Sequence, residues 1–311
     1  MANADDLSID DLDAEDIEVE AVEAYHLGGT RFSATFELSE EEEEVSRSVL
    51  LDVEFGDTVQ FETLLEVEDS IVSHTSLSRD RHFALELGGI VHALDGESRG
   101  RSELEEGFLR RVRGVSETEV IVVGEDGIAY RYDGATWREI EPFEGGDFVD
   151  VHAAPGRSVH ACGPVGTLAR LDGNAWTNVD VPIQEDLNAV LVTPSDGLFV
   201  AGSNGMCFQL RDSELIEFDA GEDDFFGVRD FKGRRYWSSA NFGLYVEDGR
   251  RLVPFRDLGQ SFTLHASADL LVITGWKEIF TFDGETFRGF RLGWDGSVFL
   301  EALDMENWPE E

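Results

Sequence analysis

EVIVVGEDGIAYRYDGATW (119–137), SVHACGPVGTLARLDGNAW (158–176) and GLFVAGSNGMCFQLRDSEL (197–215) are three readings of one pattern. RYWSSANFGLYVEDGRRLV (235–253) and LLVITGWKEIFTFDGETF (270–287) repeat it with more drift. In each, an apolar run reaches a glycine turn, a second short strand follows, and a polar turn leads to a third. The turn glycines are Gly89, Gly127, Gly166, Gly205 and Gly243, spaced 38, 39, 39 and 38 residues apart, and Glu278 takes the equivalent place 35 residues later. A period near 40 built from short strands predicts an all-β repeat fold, a β-propeller. Six repeats are legible, and a divergent N-terminal segment is expected to supply a seventh blade.

The repeat predicts strand order. In the third repeat, strand A is DFVDVHAA (147–154), B is SVHACG (158–163), C is TLARL (167–171) and D is AWTNV (175–179). The C–D turn is Asp-Gly at Asp95-Gly96, Asp133-Gly134, Asp172-Gly173, Asp248-Gly249 and Asp283-Gly284, with Asp212-Ser213 in the remaining repeat. Asp-Gly suits a type I′ hairpin, in which both central residues have positive φ. Trp137, Trp176 and Phe287 open D strands and are expected to pack between blades.

Outside the repeats, residues 1–16 read as an acidic flexible tail and 304–311 as an acidic C-terminal tail. Residues 17–68 hold strands TRFSATFEL, SVLLDVEF and TVQFETLLEV, separated by the acidic run at 39–44. They read as a divergent first blade or a small separate β-domain. The propeller repeats with a closing strand cover 69–303, and SVFLEAL (297–303) is expected to pair with the N-terminal blade to close the ring. The acidic run lacks the spacing of a calcium loop.

Charge limits the partners. The chain has 311 residues and a net charge of −42, and only two of its 24 basic residues, Lys232 and Lys277, are lysines. Dense carboxylate with scarce lysine fits solubility at high salt. It also fits an acidic surface that mimics nucleic acid or neutralises a basic partner. Direct nucleic-acid binding is not expected, because phosphate contacts need a basic footprint. The N-terminus has neither a basic nor an apolar secretory region, and no 18-residue apolar run occurs, so a cytoplasmic protein without membrane insertion is expected. Two cysteines, Cys162 and Cys207, each near a repeat glycine and read as equivalent sites, are too few for a disulfide framework and are expected to be buried.

The string carried by Gly124, Gly127, Tyr132, Asp133, Gly134 and Trp137, and again by Gly163, Gly166, Leu171, Asp172, Gly173 and Trp176, resembles the propeller repeats grouped as WD40/YVTN/BNR-like, in particular the photosystem II assembly factor type. The resemblance covers about residues 69–292 and implies architecture rather than activity. The Ser/Thr-x-Asp-x-Gly box of sialidases is absent, as is the GH…WD pair of typical WD40 repeats.

In a propeller, strand A lines the central channel. Counting back 15 residues from each turn glycine gives Val112, Val151, Val190 and Val228, with Leu264 in register, expected between blades. Strand alternation then turns Arg111, Arg113, Asp150, His152, Arg229, Thr263 and His265 toward the channel. This set reads either as a wetted wall of Arg–Asp pairs or as an anion or carboxylate site at the channel mouth. His152, His265 and His74 could converge as metal ligands, but their blade positions are not adjacent and no carboxylate cluster is in register, so no metal and no cofactor is expected. Nucleophile and P-loop signatures are missing, so no catalytic residue is assigned. The D–A loops EPFEGGDF, DVPIQEDL, DAGEDDF and PFRDLGQS mix acids with apolar residues, and the B–C turns add Phe242 and Trp276. Aromatics ringed by charge suit protein anchors. The expected function is a non-catalytic scaffold, adapted to high salt, that binds a protein partner through its loop face. The alternative is a structural or attachment protein of a virion, tail or other large assembly. A third reading is an enzyme or anion-binding protein with a site at the channel mouth.

Overall fold

The computed structural model describes residues 8–40, 45–56, 58–104, 107–116, 118–195 and 197–308. Seven antiparallel sheets follow one another along the chain. Blade 1 is β1 (Glu18–Gly28), β2 (Arg31–Glu40), β3 (Val45–Phe55) and β4 (Val59–Val67); blade 2 is β5 (Ile71–Ser78), β6 (Arg81–Glu86), β7 (Ile90–Asp95) and β8 (Ser98–Glu103). Blade 3 is β9 (Leu109–Gly114), β10 (Val120–Gly124), β11 (Ala129–Tyr132) and β12 (Trp137–Ile140); blade 4 is β13 (Asp150–His152), β14 (His160–Cys162), β15 (Leu168–Asp172) and β16 (Ala175–Asn178). Blade 5 is β17 (Leu187–Thr193), β18 (Gly197–Gly202), β19 (Cys207–Arg211) and β20 (Glu214–Glu217); blade 6 is β21 (Phe225–Phe231), β22 (Arg234–Ser239), β23 (Gly243–Asp248) and β24 (Arg251–Asp257). Blade 7 is β25 (Ser261–Ala266), β26 (Leu271–Gly275), β27 (Glu278–Phe282), β28 (Phe287–Trp294) and β29 (Val298–Leu303). The chain is thus a seven-bladed β-propeller, with no α-helix among the described residues.

Residues 18–67 form the first blade rather than a separate domain, with strands of 9 to 11 residues. Ring closure differs from expectation. β29 does not add to blade 1; it pairs with β28 as a fifth, outermost strand of blade 7. Each blade takes all its ladder strands from one continuous segment, so no strand is exchanged. Closure comes from packing instead: Phe32, Phe36, Val49 and Leu51 of blade 1 meet Ile279 and Phe290 of blade 7. The backbone adds one clasp, Ala21 N–H donating to the Trp276 carbonyl at 2.7 Å.

The tails are also less free than the composition implies. Ile9, in a short helical turn (Ile9–Asp11), is fully buried in that closing core, and Arg47 pairs with Asp10. Residues 1–7 lie outside the described residues, as do 41–44 of the acidic run and 309–311. Near the other end, Trp308 packs on Phe280 with ring centroids 5.4 Å apart.

Buried apolar clusters fill six of the seven junctions between blades. Trp137 meets Phe83 of blade 2, Trp176 packs on Phe148 in the cluster shared by blades 3 and 4, and Phe287 meets Phe255 of blade 6 at 6.3 Å, as expected for inter-blade wedges, while also stacking on Phe282 of its own blade at 4.2 Å. The junction of blades 1 and 2 carries a polar seam. His74, fully buried, bonds Ser33 through Nε2 at 3.1 Å and Thr35 through Nδ1 at 2.9 Å. Ser76 bridges Ser33 to His82. Both cysteines are buried, but on different strands: Cys162 ends β14, a B strand, and Cys207 begins β19, a C strand, so they are not equivalent.

The hairpin chemistry differs in detail. Where Asp172 pairs with Ala175, the loop is Gly173-Asn174, and only the glycine has positive φ. That places glycine first, the II′ pattern, rather than Asp-Gly in I′. The two positive φ values of a I′ turn occur at Asp212-Ser213, in the repeat that lacks the glycine.

The B–C turn glycine matters for a second reason besides its φ of +69°. A Cβ on Gly166 would lie 2.2 Å from the Ile183 carbonyl oxygen in the neighbouring D–A loop. Gly166→Ala is expected to lose about 3 kcal/mol or more, because backbone must move. Gly173→Ala, also at positive φ but with nothing within 4 Å of its Cβ, should lose about 1 kcal/mol. Urea unfolding of the two variants checks this, and equal losses would contradict it.

Candidate functional site

Seven A strands present two residues each to the channel, one on either side of a buried row. The row is Ala24, His74, Val112, Val151, Val190, Val228 and Leu264, each opposite an apolar residue of its B strand. Val112, Val151, Val190 and Val228 are fully buried. Before the row come Glu23, Ser73, Arg111, Asp150, Ala189, Gly227 and Thr263. After it come Tyr25, Thr75, Arg113, His152, Leu191, Arg229 and His265.

The structure brings Arg111, Arg113 and Asp150 together, around Glu23. Arg113 pairs with Glu23 through Nη1 and reaches Asp150 Oδ1 at 3.4 Å through Nη2. Arg111 lies 3.3 Å from Glu23 and 3.8 Å from Asp150. Glu23 Oε2 also accepts from Ser73 Oγ at 2.8 Å and the His74 N–H at 3.1 Å. Asp150 Oδ2 accepts the Val190 N–H at 3.0 Å, tying blade 4 to blade 5. Burial pushes the Glu23 carboxyl up, and the guanidiniums of Arg113 and Arg111 more than reverse this, holding it at about 2. Glu23 therefore stays ionised and occupied, suited to holding three blades rather than to proton transfer.

The histidines do not converge on a metal. His74 sits in the row between blades, not in the channel, with both ring nitrogens engaged. Desolvation brings it down to about 3. His152 and His265 do face the channel, and burial keeps both neutral, His265 at about 3. Among the described residues no group of three or more His, Cys, Asp or Glu is placed to hold a metal ion.

A second locus lies at one end of the channel. In an up-and-down blade, the B–C turns and the D–A connections share one face with the start of strand A. Among the described residues six large apolar side chains are notably exposed, and four of them, Leu87, Phe108, Val165 and Trp276, lie on these turns and loops. A cavity of about 700 Å³ opens there, lined by Val72, Leu87, Phe108, Arg111, Val149 and Phe226 among others. Beside it runs an aromatic ridge: Phe226 meets Phe262 at 5.5 Å, and Phe262 meets Trp276 at 6.2 Å. Trp276, chosen from the sequence, is 42% exposed. Phe242, chosen with it, is half-buried against the edge of Tyr245 and belongs more to the blade than to the surface.

Sequence reasoning missed Glu23, Tyr25 and Phe108. It also missed the part played by the loop acids. Asp147, Asp186 and Asp224 accept the backbone N–H of Asp126, Val165 and Asn204 at 2.8, 3.0 and 2.8 Å. Each donor is the positive-φ residue just before a turn glycine. The 39- and 38-residue spacing of these aspartates was the available signal.

No family model matches the chain. An immune protein of Pseudomonas aeruginosa, Tsi7, is 29% identical over 184 residues, which is 51% of this chain. The match spans 60% of that relative's length. The structure of YCF48 bound to a D1 peptide superposes with a TM-score of 0.62 at 15% identity, covering 86% of this chain and 96% of that one. The WD40 propeller domain of Doa1 gives 0.72 at 6% identity, covering 87% and 95%. In fold, the chain resembles WD40 propellers. At such identities the structural likenesses concern the fold alone.

Proposed function

We propose that this chain is a non-catalytic binding propeller that holds a protein partner on the face of its B–C turns and D–A loops. The observation that carries this is the exposure of Leu87, Phe108, Val165 and Trp276 on the turns and loops of that face, with Leu87 and Phe108 lining an open cavity. Large apolar side chains ringed by acids act as anchors within a polar rim. The relative named as an immune protein, and a solved propeller with a peptide bound, support binding over turnover. The channel carboxylates support it too, since Glu23 and Asp150 are engaged with arginines and backbone.

The charge of −42 argues for a basic partner surface around an apolar anchor, recruited fast and weakened by salt. Adaptation to high salt rests on the dense carboxylate and scarce lysine of the sequence alone, and neither it nor the virion or appendage reading gains support from these comparisons.

The test is capture of partners from the native host by immobilised protein. Phe108→Asp with Trp276→Asp should abolish retention of whatever the wild type holds, a loss of at least a hundredfold in affinity. Phe61→Asp, on the outer strand β4, should not. Retention that survives the double variant, or fails with Phe61→Asp, moves the binding surface elsewhere.

A further inference from the structure

The channel wall carries two acids and three arginines. Glu23 and Asp150 are shared between Arg111 and Arg113. Arg229 stands apart. Its Nη1 donates to the carbonyls of Val228 at 2.7 Å and Val190 at 3.5 Å, and no carboxylate of the described residues pairs with it. It is only 8% exposed. A guanidinium withdrawn from water without a counter-ion is destabilising. Burial, opposed by Asp150 and reinforced by Arg113, brings it down to about 10.

Two histidines share its level of the channel. His152, Arg229 and His265 hold the same register position in blades 4, 6 and 7, one residue beyond the buried row. Each imidazole has one nitrogen taken up as an acceptor. Val192 N–H donates to His152 Nδ1 at 3.1 Å, and His26 N–H donates to His265 Nδ1 at 3.3 Å. A neutral ring whose Nδ1 accepts carries its proton on Nε2. Both rings therefore offer an N–H, beside a guanidinium with its remaining N–H groups uncommitted. The three groups donate, and none accepts.

We propose that Arg229, His152 and His265 form a binding site inside the channel for a small oxyanion, a carboxylate or a phosphate. A planar or tetrahedral oxyanion accepts from the guanidinium fork and has oxygens left for the two imidazoles. One negative charge there neutralises the excess of three arginines over two acids. The site is separate from the partner face, so its failure would leave the protein-binding reading untouched.

The experiment is calorimetric titration of the full chain at pH 7 with inorganic phosphate and, separately, with acetate. Ionic strength is held constant with sodium chloride, so that simple screening of the acidic surface is matched. Saturable binding of one anion at one site is expected, weakened at least tenfold by Arg229→Gln and less by Arg229→Lys. Phosphate alone or acetate alone would assign the ligand class. The His152 and His265 ring resonances should shift on titration, a readout that a merely structural arginine would not move. Should Arg229→Gln not fold, His265→Gln serves in its place. Binding of neither anion, or binding unchanged by these substitutions, overturns the proposal.

Discussion

Mild acid is expected to destabilise this protein, because its fold keeps three buried histidines neutral. His74 is fully buried and brought down to about 3 by desolvation, His265 likewise to about 3, and His152 is shifted in the same direction. Below pH 6.5 the unfolded chain binds protons that these native histidines refuse, so stability falls as pH falls. Each such group contributes a slope of about 1.4 kcal/mol per pH unit, and three together about 4. A domain stable by about 5–15 kcal/mol loses much of that between pH 6.5 and 5. Glu23 acts later: its folded value of about 2 lies below the ordinary 4.5, so its contribution is complete above pH 4.5 and disappears as pH falls toward 2. The polar seam of blades 1 and 2 should open first, because His74 is its centre. Urea midpoints at pH 7, 6 and 5 measure the effect, and His74→Gln should reduce the slope by about a third. A midpoint that does not move between pH 7 and 5.5 would show that these rings take up protons in the folded protein without cost.

How much of this was legible follows from strand length. From Val112 to Leu264 the repeat holds nearly constant spacing, so counting from turn glycines finds the buried row, with Arg111, Arg113, Asp150, His152, Arg229 and His265 as its strand neighbours. Blade 1 defeats the count. Its β2 and β3 have 10 and 11 residues where β14 and β15 have 3 and 5. Ala24 consequently lies 50 residues before His74 rather than 39, and Glu23 and Tyr25 fall out of register. The missing residue is the one that organises the site. The turn chemistry failed for a smaller reason: Asp-Gly marks the hairpin, but which two residues form the loop depends on where the ladder ends. Ring closure was misread because an extra strand after the last repeat looks like a clasp. β29 instead adds to its own blade, and closure is left to aromatic packing that no local pattern shows.

Removing the charge of Glu23 is expected to be the most damaging single substitution in the channel. Glu23→Gln keeps nearly the same shape but leaves Arg111, Arg113 and Arg229 facing Asp150 alone. The amide also meets two donors, Ser73 Oγ and the His74 N–H, at Oε2, and the Arg113 guanidinium at Oε1, where one of its two positions is now itself a donor. Breaking a buried ion pair from one side costs about 3–5 kcal/mol, because the partner charge stays buried. Blades 1, 2 and 3 meet at this carboxylate, so the loss is not confined to one sheet. Chemical unfolding at pH 7 gives the number, and a loss below about 1 kcal/mol would mean that water already solvates the arginines. The cause can be separated from the shape by placing Arg113→Met in the same chain. If uncompensated charge is what hurts, the double variant should recover part of the loss, since it restores the original excess of one guanidinium over the acids. If the hydrogen bonds to Ser73 and His74 dominate, the two losses should simply add.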